Sequence, residues 1–435
     1  MKLLPHQLEA LNVLADKNRV LIAHDMGLGK TFTGAEKMHQ QNNAVNLVIC
    51  QKSKINDWME HFRDYYPDME VYNLTKKKDA EAFEKRVNDG VGEDEMIVGI
   101  INYELIFRRP FFSTLTSFTM LLDESSMINN ENAKRTKFIL RMRPESVILL
   151  SGTPTAGKYE KLWTTCLLLG WRITKRDFYD SYIVTRLVDY GIGYVQEEVV
   201  GYKHVTHLKR MLREHGAVFL KTNEVMTLPE QIEQQILLDP TKDYKTFQNT
   251  GYLMMSDGTE LIGDNSLTRM LYSRQLCGQY HKKKLAAFRD LLLSTEDRII
   301  VFYNFTAEMS LLKAICAEEK RPVSILNGQI KDLANYRDCE NSVTLIQYQA
   351  GAMGGNFQKT NRIVYYTLPL GKGSCDLWEQ SKKRIHRIGQ DKTCFYYYLL
   401  VKDSIEIKNL ESLKLGKDLT DALFREGGMH GRKIF

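Results

Sequence analysis

The chain has 435 residues, of which 43% are hydrophobic and 26% are charged, and its formal net charge is +6. This length exceeds one ordinary core, so we expect two or three domains, and the composition excludes disordered and fibrous proteins. Scattered cysteines without a Cys-x-x-Cys pair argue against a zinc ribbon and a disulfide framework, and they indicate a reducing compartment. No stretch approaches the ~18 apolar residues of a membrane span, so we expect a cytoplasmic protein with no membrane partner.

Short apolar runs rich in β-branched residues alternate with helix-length segments over the first third of the chain. Runs of this kind are typical of strands that are buried on both faces of a parallel sheet. They occupy residues 19–23, 47–50, 97–101, 119–122 and 147–150. The alternation with helices predicts an α/β lobe.

The first of these strands runs into a glycine-rich loop that is followed by a helical pattern. Gly27 and Gly29 let backbone N–H groups turn toward phosphates, and Lys30 supplies charge at the β- and γ-phosphates. The Thr31 hydroxyl can hold magnesium. The general pattern has a glycine where this chain has His24, and such a short string often occurs by chance. The alternative is therefore an ordinary loop.

Two polar turns follow later strands of the same set. Asp123 and Glu124 suit a division of labour in which Asp123 holds Mg²⁺ through water and Glu124 polarises the attacking water. The alternative is an acidic helix N-cap. Ser151 and Thr153 are predicted to couple the nucleotide to the rest of the protein, the alternative being an ordinary turn. All of these residues lie at carboxyl ends of strands, where open α/β sheets bind ligands.

The remainder of the chain predicts a second lobe. Residues 157–290 lack a strand series apart from 232–238, and they predict a helical extension after about 157 and a helical insertion at about 240–285. A proline within 227–230 marks the expected hinge, which gives domains 1–226 and 227–435, the latter ending in a short basic tail. Five further strands are predicted at residues 299–303, 323–326, 343–347, 362–366 and 395–400.

A basic segment at 380–390 follows the glycine-rich stretch 349–357. Arg384 and Arg387 are three residues apart, so on a helix they would share one face. Two guanidinium groups on one face suit a triphosphate, and an arginine can stabilise charge in the transition state. The alternative is a basic helix facing solvent.

In this order the motifs resemble those of superfamily 2 helicases, and specifically the SWI/SNF-like branch of these DEAD/DEAH-box-like ATPases. The resemblance covers nearly the whole chain. Residues 25–31 match motif I of the branch almost letter for letter, and the string RIHRIGQ at 384–390 is the most specific block. The resemblance implies an α/β fold with two RecA-like parallel-sheet lobes in tandem and helical insertions between them.

The resemblance also implies roles for individual residues. Gln7 is expected to contact the adenine base, Gly354 and Gln380 to contact the nucleotide, and Arg384 and Arg387 to reach ATP bound by the first lobe. Thr31 and Asp123 are the expected magnesium residues. Nucleic-acid contact or coupling is expected from motifs Ia, Ib, III, IV and V, through Ser53, Tyr103, Ser151, Thr153, Phe305, Gly351 and Asn356.

The sequence departs from the branch in motif II. Ser125 and Ser126 stand where alanine and histidine are usual, and Asn129 stands where a lysine is common, so we expect an altered link to motif III. We expect none of the accessory domains of the chromatin remodellers within these 435 residues. It resembles a minimal motor of the kind that phage and bacterial genomes encode, placed in the bacterial or host cytoplasm.

The sequence therefore predicts a monomeric motor that uses ATP and Mg²⁺ to translocate on double-stranded DNA. Two alternatives stay open: a strand-separating DNA or RNA helicase, and a nucleotide-dependent P-loop switch without motor activity. Basic clusters at 76–78 and 281–284 are candidate phosphate contacts, although such clusters are more often solvated surface. The sequence identifies no recruiting protein.

Overall fold

The computed structural model describes residues 2–92, 94–155, 157–189, 195–348, 357–371, 373–387 and 389–425, with the backbone alone at 189, 195 and 418–425. The chain divides into two compact units, one built on Met1–Met226 and the other on Thr227–Lys417. No helix in these described ranges is long and apolar enough to cross a membrane.

The first unit is a seven-stranded parallel sheet in the order β3-β4-β2-β5-β6-β1-β9, with a separate antiparallel pair β7-β8. Its strands are β1 (Arg19–His24), β2 (Val45–Cys50), β3 (Met69–Asn73), β4 (Met96–Asn102), β5 (Phe118–Asp123), β6 (Ser146–Leu150), β7 (Ile183–Asp189), β8 (Val195–Tyr202) and β9 (Ala217–Leu220). Its helices are α1 (Pro5–Val13), α2 (Lys30–Gln40), α3 (Ile55–Tyr65), α4 (Lys77–Asp89), α5 (Lys134–Ile139), α6 (Trp163–Leu168), α7 (Lys175–Tyr182), α8 (Val205–Glu214) and α9 (Thr222–Val225).

The central strands of this sheet are buried along their whole length, as expected for a sheet that helices cover on both faces. Close packing of α2 on the sheet depends on Gly34, since a Cβ at this position would lie 2.8 Å from Cδ1 of Leu150. The approach of α2 fixes where its N-terminus, and with it the phosphate loop, stands over the carboxyl ends of the strands. All five strands predicted for this lobe are present, and β3 and β9 complete the sheet.

The second unit contains a seven-stranded sheet in the order β10-β18-β17-β13-β16-β14-β15, in which only β14 and β15 pair antiparallel. Its strands are β10 (Gln231–Leu238), β11 (Tyr252–Met254), β12 (Glu260–Ile262), β13 (Ile299–Tyr303), β14 (Val323–Leu326), β15 (Lys331–Asp332), β16 (Val343–Gln347), β17 (Arg362–Tyr365) and β18 (Cys394–Val401). Its helices are α10 (Lys242–Thr250), α11 (Ser266–Cys277), α12 (Lys282–Leu293), α13 (Thr306–Glu318), α14 (Ala334–Asp338), α15 (Ser374–Lys382) and α16 (Ile405–Arg425).

Two parallel-dominated sheets flanked by helices confirm the predicted fold class. The segments predicted as purely helical differ in detail, because each also contains an antiparallel hairpin, β7-β8 after residue 157 and β11-β12 within 240–285. In each hairpin the two strands are close in sequence and pair with each other, and they form a separate two-stranded sheet. Short runs of this kind lie among charged and polar residues, and they lack the continuous apolar pattern that revealed the buried strands.

Candidate nucleotide site

The phosphate loop lies between β1 and α2 in the first unit. Gly27 and Gly29 both have positive φ, +88° and +70°, a conformation that L-residues with a side chain rarely adopt. Helix α2 begins at Lys30, directly after Gly29, so the first amides of the helix open toward the loop. This geometry is that of an anion site at a helix N-terminus.

Lys30 bends back over its own loop. Its Nζ donates hydrogen bonds to the carbonyl oxygens of His24 at 2.9 Å and Asp25 at 3.2 Å. Burial raises the pKa of Asp123 and of Glu124, and the positive charge of Lys30 opposes this rise, so the ammonium group acts on both carboxyl groups. The structure therefore brings the predicted phosphate lysine and the predicted acid pair together at one edge of the sheet.

His24 stands where the general loop pattern has glycine, and its side chain is fully buried. Burial, followed by the charge of Lys30, lowers the pKa of His24 to about 3. The imidazole is therefore neutral at physiological pH and adds no charge beside the phosphate loop.

The acid pair lies at the carboxyl end of β5. Asp123 is the last residue of the strand, and Glu124 adopts a left-handed conformation with φ +56° and ψ +60°. This backbone conformation is strained for a residue with a side chain, and strain of this kind concentrates at functional sites. Burial raises the pKa of both carboxyl groups, and Lys30 opposes that effect. The pair is desolvated and adjacent, so a cation would relieve its charge.

Motif II is linked to motif III through Glu124 and Asn129. The hydroxyl of Ser126 donates to Oε1 of Glu124 at 3.2 Å, and that of Ser151 reaches the same oxygen at 3.5 Å. The side-chain amide of Asn129 donates to the carbonyl of Pro154 at 3.2 Å. The hydroxyl of Ser151 also accepts from the backbone N–H of Thr153 at 3.1 Å. The link is thus present through Ser151 and through Asn129, which stands where a lysine is common, whereas the bond of Ser126 lies within motif II.

Gln7 is placed on the phosphate loop. Its amide nitrogen donates to the carbonyl of Gly29 at 3.1 Å, and its amide oxygen accepts from the backbone N–H of Leu4 at 2.8 Å. A Cβ on residue 29 would lie 2.3 Å from the Gln7 amide nitrogen. Glycine is therefore favoured here for two reasons, the close approach of Gln7 and the positive φ. Gln7 ties α1 to the loop in this structure, and its adenine contact stays a prediction.

The residues of this edge fit a magnesium ion. Mg²⁺ prefers oxygen ligands and is usually held by one or two carboxylates, hydroxyls and substrate phosphates, with water completing its shell. Thr31, in the first turn of α2, and Asp123 offer these oxygen types, and the raised carboxyl pKa values show that the charge there is poorly solvated. The donor set suits magnesium better than a soft metal, which prefers sulfur and nitrogen.

The predicted nucleic-acid and coupling residues have different surroundings. Ser53 is exposed in a short 3₁₀ turn, Lys52–Lys54, before α3, and Phe305 is half-buried at the start of α13 beneath the guanidinium of Arg274. Tyr103 is fully buried, and its hydroxyl donates to the carbonyl of Asp123 at 2.9 Å. Burial argues against a direct contact of the Tyr103 ring with nucleic acid, and its coupling role stays a prediction. Gly351, Gly354 and Asn356 lie outside the described residues.

The basic segment of the second unit is not a continuous helix. Helix α15 carries the half-buried Gln380 and ends at Lys382, and both Arg384 and Arg387 lie in the turns that follow. Contrary to the prediction from their spacing, Arg384 and Arg387 therefore do not share a helix face. The reason is competition from longer-range bonds, since the carbonyl of Arg384 accepts from the backbone N–H of Phe357 at 3.1 Å. We name residues 383–390 the arginine turn.

Two polar residues hold the arginine turn, and sequence analysis did not identify either of them. His386 forms a 2.8 Å hydrogen bond to the carbonyl of Pro229. The amide nitrogen of the buried Gln390 lies within hydrogen-bonding distance of three carbonyls, the shortest bond being 2.9 Å to Thr360. The signal was present in the sequence, because both residues are part of the same RIHRIGQ string as the arginines.

The basic cluster at 281–284, a candidate phosphate contact, is only partly exposed. Lys282 and Lys283 are exposed, but Lys284 is fully buried and its Nζ lies 2.6 Å from Oε1 of Glu406. His281 is also buried, and it caps the first turn of α12 through Lys284 N–H. Within the cluster at 281–284, His281 and Lys284 therefore stabilise the fold, and Lys282 and Lys283 stay candidate phosphate contacts. The cluster at 76–78 is exposed.

Two family models match the chain. The SNF2-related domain matches residues 6–291, and the helicase conserved C-terminal domain matches residues 283–389. The chain belongs to the SNF2-related family. The match to this family extends past Met226, where the first unit ends.

Relatives of this SNF2-related chain include chromatin proteins of eukaryotes. It is 22% identical to the SWI/SNF-related matrix-associated actin-dependent regulator of chromatin subfamily A member 1 of Mus musculus, over 97% of this chain and 43% of that protein. It is 24% identical to an ISWI chromatin-remodeling complex ATPase of Saccharomyces cerevisiae, over 94% of this chain and 39% of that protein. The chain thus spans less than half the length of either relative.

A solved structure with a similar fold is the SWI2/SNF2 ATPase core of Sulfolobus solfataricus in complex with dsDNA. The TM-score is 0.45 and the sequence identity 18%, over 98% of this chain and 94% of that one.

Proposed function

We propose that this SNF2-related chain is an ATP-driven motor that moves on double-stranded DNA. One observation carries the proposal. At the edge of the first sheet the charge of Lys30 acts on the buried carboxyl groups of Asp123 and Glu124. Membership of the family supports the motor class, because two family models together match most of the chain.

The chemistry proposed at this edge is hydrolysis of the terminal phosphate of ATP. Lys30 and the first amides of α2 bind the phosphates. Thr31 and Asp123 would hold the magnesium ion, which would neutralise negative charge on the phosphates. Glu124 orients the attacking water and accepts its proton. The raised pKa of Glu124 brings its basicity closer to working pH, which suits a proton acceptor.

The second unit supplies the arginines in this proposal. Arg384 and Arg387 stabilise the negative charge that develops on the transferred phosphoryl group, so hydrolysis requires both units. The proposed lobes are 1–226 and 227–435, and the segment at 227–230 acts as the hinge between them. Alternate closing and opening of the lobes then converts hydrolysis into movement.

Duplex DNA is the proposed track, because these relatives are named for chromatin, which contains duplex DNA. A sequence-independent grip requires contacts to phosphates, and the exposed Ser53 and the lysines at 76–78 are suited to such contacts. The motor is proposed to act as a monomer in the cytoplasm of a bacterium or of a phage-infected host.

The test is the steady-state ATPase rate with no nucleic acid, single-stranded DNA, duplex DNA, forked DNA and RNA. We expect duplex DNA to give the largest stimulation, and we expect that stimulation to fall steeply with salt because phosphate contacts release counterions. Lys30→Ala should abolish turnover in every arm while the protein remains folded. Equal rates with and without nucleic acid would instead support a nucleotide switch, and a maximum with forked DNA or RNA would support a strand-separating helicase.

A further inference from the structure

A buried tryptophan contacts the acid pair from a different helix. Trp58 lies in the first turns of α3 and is 1% exposed. Its indole N–H donates a hydrogen bond to Oδ2 of Asp123 at 2.9 Å. The ring is itself fixed by packing, since it stacks on Phe62 at 5.7 Å between ring centroids and meets His61 edge-on at 5.9 Å.

We propose that Trp58 is a positioning residue for magnesium, which it affects by holding the side chain of Asp123 in one orientation. This inference rests on the proposed function, because Asp123 is there the magnesium carboxylate. Trp58 itself touches neither metal nor nucleotide in this proposal. It acts only through the carboxylate that it contacts.

The physical reason begins with the position of Asp123 at the end of a buried strand. A carboxylate there can rotate about its side-chain bonds, and each rotation would move the oxygens that hold the ion. A hydrogen bond from a ring that is itself fixed by packing holds one oxygen in place, and with it the orientation of the carboxylate.

The main chain of the same residue is fixed by a second buried group. The Tyr103 hydroxyl donates to the Asp123 carbonyl at 2.9 Å, so both the side chain and the backbone of Asp123 are held by side chains from other elements. Partners that orient a metal-binding group in this way typically change metal affinity about 10- to 100-fold when they are removed. Tryptophan suits this position because its indole is a donor only, with no acceptor to repel a carboxylate.

The test compares Trp58→Phe with Trp163→Phe. The indole of Trp163 also donates one hydrogen bond, to the carbonyl of Ile173 at 3.1 Å, so the control loses the same kind of bond outside the site. Binding of a fluorescent ATP analogue is titrated by anisotropy in EDTA and across a range of Mg²⁺ concentrations. We expect Trp58→Phe to bind normally in EDTA and to need about tenfold more Mg²⁺ for its half-maximal gain in affinity.

Two outcomes of this titration separate the two proposals. If Trp58→Phe, Trp163→Phe and the wild type share one Mg²⁺ dependence, the positioning role is overturned and the motor proposal stands. If the wild type binds the analogue no better with Mg²⁺ than with EDTA, the proposed ATPase function itself is overturned.

A measurement on the wild-type side chains covers the case in which Trp58→Phe does not fold. The indole ¹⁵N–¹H resonance that moves in Asp123→Asn is assigned to Trp58. In the ADP-bound wild type we expect this resonance to shift when Mg²⁺ replaces EDTA, while that of Trp163 stays in place. A Trp58 resonance that does not respond to Mg²⁺ would overturn the proposal.

Discussion

Lys30 in the phosphate loop of the first unit and the arginine turn of the second unit are held over very different distances along the chain. Lys30 bonds to carbonyls only five and six residues away. His386 bonds to Pro229, 157 residues away, and Gln390 to Thr360, 30 residues away. The position of the Lys30 ammonium group is thus set by its own strand and loop, although the loop also bonds to Gln7 and Thr222. The shape of the arginine turn depends on distant segments. A distant substitution in the second unit should therefore disturb the arginine turn while the local bonds of Lys30 stay in place.

The first way to test this comparison is to remove a guanidinium group from the arginine turn. Arg387→Ala should lower DNA-stimulated kcat by about 10³-fold or more, the usual effect of an arginine that stabilises phosphoryl transfer. Binding of nucleotide to the first unit should change far less. The exposed Arg337 offers a matched control in the same unit, and Arg337→Ala should keep wild-type turnover. Wild-type kcat in Arg387→Ala would remove the arginine turn from the mechanism.

The next largest effect is expected from Glu124→Gln in the first unit. Loss of the proton acceptor should lower kcat by about 10²-fold or more. Burial in the folded state raises the pKa of this carboxyl group. Above the raised pKa the buried ionised group therefore lowers the free energy of unfolding. The neutral amide should therefore raise Tm by roughly 2 °C. Differential scanning calorimetry beside the ATPase assay checks both, and a lower Tm would contradict the account of burial.

A substitution outside the arginines should disturb the arginine turn through its distant bonds. Gln390→Leu leaves three carbonyls without the amide that bonds to them, and it should lower kcat about tenfold. Gln390→Glu, which removes the donor but keeps the shape, should behave alike. The nucleotide affinity of the first unit should stay unchanged in both variants. An unchanged kcat would show that the turn keeps its shape without these bonds.

The smallest expected effect is a shift in the acid limb of the pH profile. Burial raises the pKa of Asp123 and Glu124, and hydrolysis needs both groups ionised. Activity should therefore be lost as the pH falls through these raised values, that is, at a higher pH than the roughly 4.3 of an ordinary glutamate. Measurement of kcat from pH 5 to 8 checks the direction. An acid limb with its midpoint at or below the roughly 4.3 of an ordinary glutamate would contradict it.

The sequence predicted the first unit better than the second for a physical reason. The residues Lys30, Asp123 and Ser151 follow buried strands, and the carboxyl ends of parallel strands meet at one edge, so periodicity alone brought them together. The contact of Trp58 with Asp123 spans 65 residues and two elements, and no local pattern reveals it.

The second unit shows where local patterns fail. All five predicted strands are present, yet the spacing of Arg384 and Arg387 predicts a shared helix face that the structure does not form. Turns replace the helix there, held by a backbone bond from Phe357 and by side-chain bonds of His386 and Gln390. Residues three apart lie on the same face only where the backbone forms helical hydrogen bonds.

The central claim is that ATP hydrolysis drives movement along duplex DNA, and displacement of a triplex-forming strand measures that movement most directly. We predict that the wild type displaces the third strand from duplex DNA with ATP and Mg²⁺, that it leaves the duplex intact, and that Glu124→Gln displaces nothing. Hydrolysis of ATP without displacement of the third strand would contradict the claim.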